Sequence, residues 1–282
     1  MESTVTTATQ RKPEKKSMTE TAVQSHSLGK RIDFHTHILP EMDDGSSSVE
    51  MSLQMIRESV RQGVFCIVLS PHFYPAQDNP KHFLEKRQNR LELLKSRMQY
   101  GIPLLLAGAE VQYFEGITAM RTLPQMRIEK SRGLLIEMPM CPWSDRMIGD
   151  IAELNSRREY QVILAHAERY LPYRNLPAIR KLADVGVMMQ VNSSAFTGFA
   201  GCRRMLKLLD EGLVHFLGSD CHNMTSRPPN LAAAYDTIER KRGTAAVKKI
   251  MVNGLRLLSD KQFAEEQNRN DSVPEIREHI VK

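Results

Sequence analysis

The stretch Arg31-Ile32-Asp33-Phe34-His35-Thr36-His37 is where the chain first becomes interpretable. It alternates apolar Ile32 and Phe34 with Asp33, His35 and His37, side chains that an apolar core does not take without partners. Side chains alternate across a strand, so Asp33, His35 and His37 are expected on one face and Phe34 and Thr36 on the other. Two imidazoles on one face suit one cation. The turn that follows, Asp43-Asp44-Gly45, adds carboxylates close by, and Ser47 with Glu50 fits a capping box for a helix beginning at Val49.

Working outward, the same strand-then-helix unit recurs. Strands are expected at 31–37, 65–70, 103–109, 133–137, 161–166, 187–192 and 215–220, with helices at about 49–62, 82–99, 147–158, 176–185, 201–211 and 230–242. Such alternation argues for a parallel barrel or a doubly wound sheet. At 282 residues one continuous core suffices, so residues 31–260 are expected to form a single domain. Residues 1–30 and 261–282 are polar and charge-mixed, and are expected to be a disordered N-terminal extension and a peripheral tail.

Composition excludes several classes. Hydrophobic residues make up 41% and charged ones 26%, with no apolar run long enough to span a bilayer, so no membrane insertion is expected. The first thirty residues lack the apolar h-region of a secretory signal, which makes the cytoplasm the expected compartment. Cys66, Cys141, Cys202 and Cys221 are scattered without a CxxC pair, so neither a disulfide framework nor a thiolate zinc site is indicated. The net charge of +6 is spread along the chain rather than gathered in a stripe, which argues against nucleic acid as partner.

Metal-capable side chains fall at the strand exits. After His35 and His37 come His72, Glu110, Glu137, His166, and Asp220 with His222. Each alone has a structural reading, as a salt-bridged carboxylate or a packed histidine. Together they occupy six of seven expected strand ends, and in a parallel barrel those ends share one face. Mixed imidazole and carboxylate donors suit Mn, Fe or Zn, whereas Ca or Mg prefers oxygen. A competing pattern, Cys221 followed five residues later by Arg227, matches the bare C-x5-R of cysteine-dependent phosphatases. It lacks the glycines of a phosphate loop and runs into Pro228-Pro229, so Cys221 is expected to pack.

With those residues in view, the chain resembles the polymerase and histidinol phosphatase (PHP) superfamily. Within it, Asp33-x-His35-x-His37, Asp43-Asp44-Gly45, Gly108-Ala109-Glu110, Ala165-His166-x-Glu168-Arg169-Tyr170, Gln190-Val191-Asn192 and Ser219-Asp220-x-His222-Asn223 with Arg227-Pro228-Pro229 are similar to the bacterial capsule-biosynthesis tyrosine phosphatases of the CpsB and YwqE type. The resemblance implies a distorted (β/α)7 barrel of the PHP type and two or three divalent ions, manganese foremost. It implies hydrolysis of phosphotyrosine on a bacterial tyrosine kinase with a phosphorylated tail, which regulates capsule or exopolysaccharide synthesis. Carried over by position, one metal takes His35, His37, Glu110 and Asp220. A second takes Glu110, Glu137 and His166, and a third His72, His222 and Asp43 or Asp44, with Asp44 favoured because it directly precedes Gly45. Arg169 and Arg227 would hold the phosphate, with His222 also among the reacting groups. The alternatives are a small-molecule phosphomonoesterase of the histidinol-phosphatase kind, and a catalytically silent metal-binding or basic interaction module.

Overall fold

The structure, a computed structural model, describes residues 31–98 and 103–259; the expectations for 1–30 and 261–282 lie outside the described residues. The strands are β1 (Arg31–Thr36), β2 (Val64–Leu69), β3 (His72–Phe73), β4 (Leu104–Ala107), β5 (Glu110–Gln112), β6 (Gly133–Glu137), β7 (Gln161–Leu164), β8 (Met188–Asn192) and β9 (Phe216–Gly218). All pair in parallel, in two runs ordered β1-β2-β4 and β3-β5-β6-β7-β8-β9. The strands expected at 65–70 and 103–109 each resume past a break and beyond their expected ends: β2 and β3 are one strand position broken at Ser70-Pro71, and β4 and β5 one broken at Gly108-Ala109. Proline has no N–H to give a ladder, so pairing lapses at Pro71. Continuity survives, because Gly108 N donates to Leu69 O at 2.8 Å and Glu110 N to Pro71 O at 3.0 Å.

The ring closes between the last strand and the first. Asp220 N donates to His35 O at 2.8 Å, and His37 N to Cys221 O at 3.0 Å. Seven strand positions therefore form the distorted (β/α)7 barrel that the resemblance implies. Its interior is apolar away from the strand exits: Phe34 and Phe216 meet at 4.3 Å between ring centroids, with Ile32, Val68, Leu106, Leu135 and Ile163 around them. Residues of opposite parity, such as Ile67, Leu134, Val162 and Val191, face the helices and make the larger outer core.

The helices are α1 (Val49–Arg61), α2 (Pro80–Ser96), α3 (Asp145–Ser156), α4 (Leu176–Asp184), α5 (Phe199–Asp210), α6 (Leu231–Arg242) and α7 (Thr244–Leu258). The cap of α1 is Ser48, whose side chain accepts from Met51 N at 3.1 Å, one residue later than the expected Ser47 box. The sequence reading has no counterpart for α7. It seats against the barrel's N-terminal mouth, where Leu257 joins the interior cluster and Asn253 Nδ2 donates to His215 O at 3.3 Å. Its amphipathic face reads as an ordinary surface helix, and only the barrel gives it a hole to cover.

Gly218 fixes the β9–β1 seam. A methyl there would stand 2.5 Å from His35 Cβ and 2.6 Å from Gln190 Nε2. Gly218→Ala is therefore expected to cost about 1–3 kcal/mol, as overpacking does, and thermal denaturation would show it as a melting temperature several degrees lower. An unchanged melting temperature would mean that the seam opens freely.

Candidate metal centre

At the strand exits the donors converge on Glu110, which is fully buried at the start of β5. Its Oε2 lies 3.0 Å from His35 Nε2, 3.3 Å from His37 Nε2 and 3.0 Å from His72 Nδ1, and its Oε1 lies 2.8 Å from His166 Nε2. Glu137, at the end of β6, approaches His166 Nε2 at 3.4 Å. Asp220 Oδ1 lies 3.3 Å from His37 Nε2 and 3.7 Å from His35 Nε2. Among the described residues three groups have donor atoms mutually within 4.8 Å: His37, Asp44, His72 and His222; His35, His37 and Asp220; and His72, Glu110 and Glu137. All eight strand-exit donors of the sequence reading stand in one pocket.

The two aspartates of the turn have different neighbours. Asp44 Oδ1 lies 3.4 Å from His222 Nε2 and 3.7 Å from His72 Nε2, among the donors. Asp43 sits behind them: its Oδ2 is 2.7 Å from His37 Nδ1 and accepts from His72 N at 2.9 Å, which turns His37 Nε2 toward the centre. Gly45 permits this turn, because a methyl there would stand 2.3 Å from His37 O. Asp33 differs from the expectation that it shares a face with the histidines. A register shift between Asp33 and Thr36 resets the alternation, Phe34 enters the barrel interior, and Asp33 Oδ1 instead accepts from Ser219 N at 2.8 Å and His35 N at 3.3 Å. Burial raises the Asp33 carboxyl to about 6.

The electrostatics are those of mostly buried donors packed against one another. Burial opposes charge on His37, but hydrogen bonds to the carboxylates of Asp220, Asp43 and Glu110 outweigh it and hold its pKa well above the ordinary value. Burial likewise opposes charge on His166, yet Glu110 and Glu137 raise it to about 9. Glu110 is lowered despite burial, chiefly by His35 and His166. His222 goes the other way, pushed to about 4 by burial and by the charges of His37 and Arg227. Its buried Nε2 has no hydrogen-bond partner, and His35 Nε2 and His37 Nε2 face each other at 3.1 Å. Unsatisfied nitrogen and converging imidazoles among carboxylates fit a multinuclear divalent site, where loading expels the histidine protons.

Two guanidiniums flank the donors. Arg169 pairs with Asp220 Oδ2, and Arg227 Nη2 reaches the same oxygen at 2.9 Å. Both side chains stay 38% exposed, so each can turn to an anion entering the pocket. His166 (φ 32°) and Asp220 (φ 52°) adopt left-handed backbone, which is costly for residues other than glycine and aims both side chains inward at the strand ends.

Supporting residues lacked an assigned role in the sequence reading. Gln190 Oε1 accepts from His166 N at 2.7 Å and faces His35 Nδ1 at 3.0 Å, which fixes His35 with Nε2 inward. Asn192 Nδ2 donates to Asp220 Oδ2 at 2.8 Å. Asn223 Oδ1 accepts from the backbone of Thr225, Ser226 and Arg227 at 2.8–3.1 Å, which holds the loop that presents Arg227. The available signal was in β8, where Gln190 and Asn192 alternate within an otherwise apolar strand. Cys221 is fully buried in the outer core, with its thiol pushed well up by burial and by Asp33, as its packing role predicts.

The family described as capsular polysaccharide synthesis, CpsB/CapC, matches residues 31–259. The tyrosine-protein phosphatase CpsB of Streptococcus pneumoniae is 33% identical over 239 residues, covering 80% of this chain and 96% of that protein. The tyrosine-protein phosphatase YwqE of Bacillus subtilis (strain 168) is 29% identical over 226 residues, covering 76% and 85%. Among solved structures, one from the study of YwqE from Bacillus subtilis and CpsB from Streptococcus pneumoniae, described as unique metal-dependent tyrosine phosphatases, superposes with a TM-score of 0.70 at 27% identity. It covers 80% of this chain and 94% of that one.

Proposed function

This chain belongs to the CpsB/CapC family of capsular polysaccharide synthesis, and from that premise we infer that it is a metal-dependent tyrosine-protein phosphatase acting in capsule synthesis. The observation that carries the chemistry is the buried Glu110 facing four imidazoles, with two guanidiniums on the adjoining Asp220. We assign residues 31–260 to one metallophosphatase domain. His35, His37, Glu110 and Asp220 would hold one ion, and Glu110, Glu137 and His166 a second. Asp44, His72 and His222 would hold a third, with Asp43 orienting His37. Manganese is the proposed ion. The proposed substrate is a phosphotyrosine tail of a bacterial tyrosine kinase, met in the cytoplasm; no helix among the described residues is long and apolar enough to cross a membrane.

Divalent ions in such a pocket supply Lewis acidity, activating water and neutralising charge on phosphoryl oxygens. The residues do the rest. Arg169 and Arg227 would turn from Asp220 to the phosphate oxygens, leaving Asp220 free as one of the residues that would hold an ion, and burial of most of the donors limits access of bulk water. A phenol leaves with a pKa of about 10, so little help from a general acid is needed. Phosphate release from a phosphotyrosine peptide against histidinol phosphate tests the reading: faster turnover of the peptide supports it, and a preference for histidinol phosphate overturns it.

Arg227 carries a sharper expectation. A planar fork binds two phosphate oxygens where an ammonium binds as a point charge. Arg227→Lys is expected to lower kcat/KM on phosphotyrosine peptides tenfold or more, about 1.4 kcal/mol of transition-state binding, with metal content and melting temperature unchanged. Wild-type kinetics in that variant would return Arg227 to the surface and leave Arg169 as the phosphate ligand.

A further inference from the structure

We propose that the groove between the segment after β7 and the outer face of α5 is a docking site for an acidic stretch of the phosphoprotein substrate, a proposal that rests on the phosphatase reading. The groove encloses about 900 Å³ and is floored by Leu171, Leu176 and Leu208. At its edge Phe199 is 88% exposed, against 54% for Val185, the next most exposed large apolar residue described. An aromatic ring left in water at that level is a strong candidate for an interface anchor.

Charge identifies the occupant. Phe199, Arg203 and Lys207 recur at four-residue steps and form one stripe along α5, with Arg204 beside it. Among the described residues none of these three cations forms an ion pair. The groove's carboxylate, Glu211, is already held by Arg180 at 2.8 and 3.1 Å. An unneutralised cationic stripe beside apolar walls fits a peptide that carries acidic side chains and an apolar or aromatic one. Position links it to the chemistry: Leu171 follows by two residues Arg169, the partner of Asp220, in the 3-10 segment Ala167–Tyr173. At about 2 Å of rise per residue, only about 4 Å of helix separates the backbone of this groove residue from that of Arg169.

The experiment uses the full-length manganese-loaded protein and two variants, Phe199→Ala and Arg203→Glu/Lys207→Glu. Each is assayed on a phosphotyrosine peptide flanked by Asp and Glu, on the same peptide flanked by Lys, and on p-nitrophenyl phosphate. All three altered residues are exposed, so the fold should hold. The wild type should prefer the acidic peptide, and the preference should weaken with added salt. The charge reversal should lower kcat/KM for the acidic peptide tenfold or more and leave p-nitrophenyl phosphate unchanged; Phe199→Ala should weaken both peptides. An acidic-to-basic ratio unchanged by the reversal overturns the proposal. So does loss of co-sedimentation with phosphatidylserine vesicles in the same variants while peptide kinetics stay at wild-type level, which would make the stripe a membrane contact. If the wild type hydrolyses no phosphotyrosine at all, the phosphatase reading fails separately. Fluorescence anisotropy of the labelled acidic peptide then decides: binding lost on charge reversal keeps the docking site, and binding unchanged removes it.

Discussion

Glu110→Gln is expected to lose at least about a hundredfold in kcat on phosphotyrosine peptides with the fold intact, because it neutralises the carboxylate on which the pocket converges. The substitution keeps shape and volume, so little is lost in packing. What changes is charge and hydrogen-bond sense. Both carboxylate oxygens face imidazole nitrogens, at 2.8 Å to His166 and 3.0 Å to His35 and His72, and an amide has one acceptor where two are used. His35→Ala, His166→Ala and Asp220→Ala should each lose a similar factor, since each removes a donor from the same cluster. Phosphate release, metal content per chain and melting temperature are measured together. Turnover near wild type with unchanged metal content in any of these variants would take that residue out of the site.

Prolonged EDTA treatment is expected to abolish activity, and added Mn should restore it better than Mg because the donor set is rich in imidazole. Iodoacetamide should leave activity intact. Cysteine chemistry needs an accessible thiolate, whereas Cys221 is fully buried and its thiol is pushed well above the ordinary value by burial and by Asp33. Cys66 is also buried, with its thiol raised to about 12. Cys221→Ser should accordingly be close to neutral for turnover. Full activity after chelation, together with loss on alkylation, would sink the metal reading and revive Cys221 as nucleophile.

Pattern alone determined much of this protein. Burial of parallel strands demands short continuous apolar runs, and those runs put seven strand positions within one residue of their observed starts, with both ends of β6 matched. Each donor alone could be structural, but His35, His37, His72, Glu110, Glu137, His166, Asp220 and His222 together gather at the exits of six of the seven runs, and that conjunction is visible in the string. What the string could not carry was phase and partnership. The shift in β1 that separates Asp33 from the histidines depends on pairing with β2, and no local propensity marks it. The distinct surroundings of Asp43 and Asp44 follow from where His37 and His72 arrive from other strands. The cover that α7 gives the barrel, and the grip of Gln190 on His35 and His166, exist only once the ring has closed. Local sequence sets the period and chemistry of each strand, but contacts between residues more than a hundred positions apart are decided by closure of the barrel, which brings Gly218 against His35.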